Sequence, residues 1–155
     1  ELINNSLQHH RKKKTDKVRI HPAGDFFSLA YLMAWIEVAK LNPDLDFYCY
    51  SKSLDFFLDL VLPSNFYMTA SYGGKFDHLI DQGYFTRYAK VYKTEEEAIA
   101  DGLEVDHDDS HCFGDRPFAL LVHGTQPKGS DWGKAIHARR KAGKFSGYSA
   151  TKVAV

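Results

Sequence analysis

His21 and Asp25 stand four residues apart in His21-Pro-Ala-Gly-Asp25, where the first β-like run of the chain ends. A carboxylate so placed can orient an imidazole for proton transfer, or the two can ligate a metal. The structural alternative is that Asp25 caps the next helix and His21 bonds backbone. Four further runs end in polar or small residues: Ser51-Lys52-Ser53, Ser71-Tyr-Gly-Gly-Lys75, Lys93-Thr94 and His123-Gly-Thr-Gln126. Gly73 and Gly74 would let backbone N–H groups approach an anion, with Lys75 to neutralise it. A turn that needs positive φ explains the same glycines without a ligand. Lys52, Ser71, His123 and Gln126 complete the expected ligand-binding set.

A second group, His107, His111 and Cys112, combines i, i+4 spacing with a thiol, and zinc or iron would accept such donors. Asp108 and Asp109 beside them also suit a hydrated acidic loop. A third group, Arg139-Arg140-Lys141, suits nucleic-acid phosphates, but positive charge is favourable at any helix C-terminus. Gly124-Thr-Gln-Pro-Lys-Gly-Ser130 has the strand-to-helix context of a phosphate loop. Its Lys128 precedes the second glycine instead of following it, which argues against a nucleotide triphosphatase.

The elements that must position these groups alternate. Strands are expected at 17–23, 46–51, 65–71, 88–93 and 118–123. Helices follow at 26–40, 54–62, 76–82, 94–100 and 130–142, after an opening helix within 1–8. Leu29, Leu32, Met33, Ile36 and Ala39 form a helical stripe, with Asp25 or Ser28 as cap. Phe47-Tyr-Cys-Tyr50 is an unbroken run, as in a strand covered on both faces. Gly102 to Pro117 has no periodicity, and such loops are commonly functional. This rhythm implies an α/β fold, one domain of five βα units on a mostly parallel sheet. It is either an open doubly wound sheet or a partial barrel, flanked by a basic segment at 1–17 and a loosely ordered tail at 144–155. In parallel folds the C-terminal strand ends share one edge, where ligands bind.

Hydrophobic residues make up 44% of the 155, as in a globular protein, and no apolar run approaches the length needed to span a bilayer. With Cys49 and Cys112 alone there is no disulfide framework, so a reducing cytoplasm is the expected compartment. Two thiols also fall short of a four-iron cluster. Net charge is zero, yet residues 1–20 carry +4, residues 127–155 carry +6 and the stretch between carries −10. Basic ends can contact nucleic acid or an acidic partner, or simply fold against an acidic body.

Val18-Arg-Ile-His-Pro-Ala-Gly-Asp-Phe-Phe-Ser28, then Tyr31-Leu32 and Trp35-Ile36, resembles the phage "gene product eighty-eight" family. Phe47 to Ser53, Pro63-Ser-Asn-Phe66 and Ser71 to Lys75 are similar to its later blocks. The resemblance covers about residues 18–126. It implies a phage or mobile-element origin, and with it the cytoplasm of a bacterial host, and brings no activity with it. Longer family members carry a cysteine-bearing segment ahead of the first block, and this chain opens on Glu1, so a shortened form is expected. By fold analogy, the βα series is like the partial barrel of radical S-adenosylmethionine enzymes. The functional expectation is therefore a phage protein with a polar or phosphorylated ligand at the strand ends. The competing expectation is an accessory protein that binds host protein or nucleic acid, or an assembly component.

Overall fold

The computed structural model describes residues 1–12 and 14–144; the expected tail lies outside the described residues from 145 onward. The chain packs as two compact units, Glu1–Phe85 and a second beginning at Thr86.

In the first unit, α1 (Leu2–His10) precedes β1 (Lys17–Arg19), α2 (Leu29–Leu41), β2 (Asp46–Ser51), a 3-10 turn (Leu54–Phe57), β3 (Phe66–Ser71) and α3 (Asp77–Asp81). The strands pair in parallel in chain order, with Val18 beside Phe47, Phe47 beside Phe66 and Cys49 beside Met68. Because the order does not reverse, this unit lacks the switch point of a doubly wound sheet. Side chains alternate across a strand, so Val18, Phe47, Cys49, Phe66, Met68 and Ala70 share one face. Phe47, Cys49 and Ala70 are fully buried there. The opposite face carries Arg19, Tyr48, Tyr50, Tyr67 and Thr69, with the Arg19 guanidinium 5.3 Å from the Tyr50 ring centre.

Helix α2 starts where the Ser28 side chain accepts the Tyr31 N–H, which leaves Asp25 free for another role. Leu32, Ile36, Val38 and Ala39 are its buried residues. Its C-terminal end is closed by two asparagines. Buried Asn42 donates to Asn4 Oδ1 and to the Val38 carbonyl, and accepts from Gln8. The Asn65 amide donates to the carbonyls of Ala39, Asn42 and Leu45 at 3.0, 3.1 and 2.8 Å. Asn65→Ala should therefore lower stability by about 1–3 kcal/mol, read as a drop in thermal midpoint, because three carbonyls lose a side-chain donor, although Ala39 and Asn42 keep a backbone one.

The second unit contains β4 (Tyr88–Tyr92), α4 (Glu95–Ala100), a 3-10 turn (Ser110–Phe113), β5 (Phe118–Leu121) and α5 (Asp131–Lys141). β4 and β5 are parallel, and Val105 adds a parallel bridge to Ala119. Tyr92, Ala98, Leu103, Val105 and Ala119 form its core, with Tyr88 and Leu121 packed against them. Thr94 and Ser130 cap α4 and α5 through the N–H groups of Glu97 and Gly133.

The α/β class, the parallel strands and the alternation with helices are those expected. Several boundaries shift by one to three residues, and two differ by more. β1 stops at Arg19 instead of 23, and the helix expected over 54–62 is a four-residue 3-10 turn. No helix among the described residues is long and apolar enough to cross a membrane.

Candidate functional site

At the C-terminal ends of β1, β2 and β3 the chain builds a connected polar network. Asp25 Oδ1 accepts the Phe26 N–H at 2.7 Å and the Ser51 hydroxyl at 2.8 Å. Its Oδ2 accepts the Lys52 N–H at 2.6 Å. Ser51 Oγ in turn accepts the Ser53 N–H, and the Ser53 hydroxyl donates to the Phe26 carbonyl. Asp25 thus ties the loop after β1 to the end of β2.

Lys52 continues the network towards β3, with its ammonium donating to the Gly73 carbonyl at 3.2 Å. Its aliphatic stem lies on Gly74, where an added Cβ would come within 2.9 Å of Lys52 Cβ. Gly74 is needed for that close approach, and Gly73 for its φ of +93°. Lys52 and Lys75 are exposed, whereas Ser71, which ends β3, is half-buried.

Two expected arrangements need correction. The Gly73 and Gly74 N–H groups do not cradle an anion, because both donate to the Asp77 carboxylate, at 3.0 and 2.9 Å. Nor do His21 and Asp25 form a hydrogen-bonded pair. His21 adopts φ of +56°, in the left-handed region, and its ring meets Phe26 edge-on at 4.9 Å and Tyr31 at 5.5 Å. Its Nε2 is buried without a hydrogen-bond partner among the described residues. Such backbone conformations are costly and cluster at functional sites.

His123 and Gln126 belong to the second unit, where Gln126 Nε2 donates to the His123 carbonyl. Beyond them a cavity of about 450 Å³ is lined by Gly124, Thr125, Gln126, Ile136, His137 and Arg140. Arg139 is not presented for phosphates. Its guanidinium donates to the carbonyls of Lys93 and Val122, just past β4 and β5, and burial lowers its pKa. Arg140 and Lys141 are exposed.

The 102–117 loop also departs from its expected donor set. His111 and Cys112 lie in the 3-10 turn, but His107 is exposed outside it, so the helical i, i+4 relation does not exist. The donors that converge are Asp106, Asp109 and Cys112, all within 4.8 Å of one another. Asp106 and Asp109 lacked a periodic signal. An Asx-type pattern was the available one: Asp106 accepts the N–H groups of Asp108 and His111.

Elsewhere in the unit, Asp101 accepts from the Tyr92 hydroxyl at 2.6 Å and the Lys90 ammonium at 3.1 Å. The Tyr92 hydroxyl, followed by Lys90, holds the Asp101 carboxyl below the usual range. A depressed carboxyl stabilises the fold above its unfolded pKa of about 3.9, and the effect is lost as pH falls through the folded value.

The molecule is thus an α/β protein of parallel βα units, with a hydrogen-bonded polar network at the strand ends of its first unit. It belongs to the Gene product 88 family, whose profile matches residues 1–145. A stretch of 42 residues is 45% identical to the Gene 88 protein of Mycobacterium phage L5. That stretch is 27% of this chain and covers 18% of the phage protein's length. No solved structure matches the chain.

Proposed function

We propose that this phage-family protein binds a small anionic ligand, bearing phosphate or carboxylate, at the C-terminal ends of β1, β2 and β3. Lys52 and Lys75 supply the charge and His21 a polar contact from the adjoining loop. The observation that carries this reading is the placement of Lys52. Its backbone is held by Asp25 and its stem is seated on a glycine, while the side chain ends at the surface. Preorganised donors lose less entropy on binding than free surface lysines. Any proton transfer here rests on His21 alone, since both Asp25 oxygens already accept hydrogen bonds.

The radical S-adenosylmethionine analogy adds no residue to this reading. Cys49 and Cys112 are buried in different units, and a four-iron cluster takes about four ligands. Contact with nucleic acid or a host protein through the basic ends is the weaker reading. Arg11 is engaged by Asp44, and Arg139 by strand-end carbonyls.

Calorimetric titration of the full chain with inorganic pyrophosphate tests the proposal. Saturable binding should weaken about tenfold or more in Lys52→Ala, the scale of one charge-assisted hydrogen bond. Lys75→Ala should weaken it in the same direction, and Arg140→Ala should not. Binding that is absent, or unaltered by Lys52→Ala, would remove the site.

A further inference from the structure

We infer that the loop between α4 and β5 is a transition-metal site, with Asp106, Asp109, His111 and Cys112 as ligands and zinc or ferrous iron as the class of ion. This inference stands apart from the anion site, since all its residues lie in the second unit.

Three observations converge on it. First, a buried thiol and two carboxylates bring their donor atoms within 4.8 Å of one another. The Asp106 side chain is 1% exposed, and the His111 imidazole stands beside it. Carboxylates and a thiol gathered away from water favour a positive charge in their midst.

Second, an imidazole stands against one of these carboxylates. His111 Nδ1 lies 3.2 Å from Asp106 Oδ1, yet this buried nitrogen makes no hydrogen bond among the described residues. Two ligands of one tetrahedral zinc, each about 2.1 Å from the ion, stand about 3.4 Å apart. The pair is therefore spaced as neighbouring ligands and not aligned as donor and acceptor.

Third, the other ring nitrogen faces a carboxylate: Nε2 lies 3.5 Å from Glu104 Oε2. Metal-bound histidines commonly donate their second N–H to such a group, which fixes the tautomer and leaves the ligating nitrogen with its lone pair. Here that leaves Nδ1 for the ion.

The loop backbone supports the cluster. Asp109 adopts φ of +67° immediately before the 3-10 turn that carries His111 and Cys112. Asp106 accepts the Asp108 and His111 N–H groups, and its own N–H donates to the Ala119 carbonyl of β5. Strand and loop are thus tied where the donors meet. Thiolate and imidazole favour zinc or iron over magnesium or calcium, which prefer oxygen ligands alone.

The test is titration of the untagged, reduced full chain with Co(II), a spectroscopic substitute for zinc. One equivalent should produce a thiolate-to-cobalt charge-transfer band in the near ultraviolet together with visible d–d absorption, and zinc should abolish both. Cys112→Ser should lose the charge-transfer band, whereas Cys49→Ser and His107→Ala should keep it. His111→Ala should weaken cobalt affinity at least tenfold. If Cys112→Ser fails to fold, Asp109→Asn serves instead, with tenfold weaker affinity expected. Zinc should also raise the thermal midpoint of the unmodified chain and not that of His111→Ala. A missing charge-transfer band, or one that follows Cys49 or His107, would overturn the assignment.

Discussion

Asp25→Ala is expected to lower the stability of the first unit by about 2–4 kcal/mol, measured as a fall in the urea midpoint at unchanged slope. Its carboxylate receives donors from Phe26, Ser51 and Lys52, all within 2.8 Å. Hydrogen bonds to a charged acceptor contribute about 1.5–3 kcal/mol each, and removing the acceptor strands donors on two segments at once. Ser51 is 1% exposed, so its hydroxyl cannot recover the lost bond from water. The Lys52 N–H sits at the surface and can, which is why the expected total stays below the sum of three. Asp25→Asn should be nearly as damaging, because an amide NH2 directed at one of these donors is repelled. Ser51→Ala should be milder, as it removes one bond and leaves Asp25 with two. If Asp25 were an ordinary surface acid, the change would stay within about 0.5 kcal/mol.

The second large effect is expected in the other unit. With a chelator present, Asp106→Ala should destabilise by about 2–3 kcal/mol, and amide exchange at Asp108 and His111 should accelerate. The Asp106 side chain is 1% exposed and accepts both of those N–H groups, so alanine leaves the turn without its internal acceptor. The 3-10 turn that carries Cys112 is four residues long and has no helical ladder to hold it otherwise. Glu104→Ala is the contrasting control. Its side chain is 82% exposed, and its removal should change stability by less than about 0.5 kcal/mol. Equal losses in the two variants would show that the buried carboxylate does not organise the loop.

The strands and helix starts were legible because their signals are local. The unbroken run Phe47-Tyr-Cys-Tyr50 marked a strand, though its tyrosine face is only half-buried, and Ser28, Thr94 and Ser130 each cap the helix that follows. The polar rim of the first unit was legible in part. Parallel pairing brings the ends of β1, β2 and β3 together, so Asp25, Lys52 and the Gly73-Gly74 turn meet.

Partnerships within the rim were not legible, since they depend on backbone turns and competing acceptors. Left-handed φ at His21 turns its ring against Phe26 and Tyr31 instead of towards Asp25. Asp77, three and four residues beyond the glycines, takes the N–H groups that would have served an anion. In the irregular loop, i, i+4 spacing pointed to His107 with His111, but that relation requires a helical turn that the chain does not make there. A 3-10 turn begins only at Ser110 and brings the carboxylates to Cys112 instead.

The most direct measurement of the central claim is an amide chemical-shift map of the full chain titrated with pyrophosphate. Saturable shifts are predicted at Lys52, at Gly73 to Lys75 and around His21, with Arg11 to Lys14 and Arg140 to Lys144 unmoved. Shifts confined to those basic ends, or no saturable shift at Lys52, would contradict it.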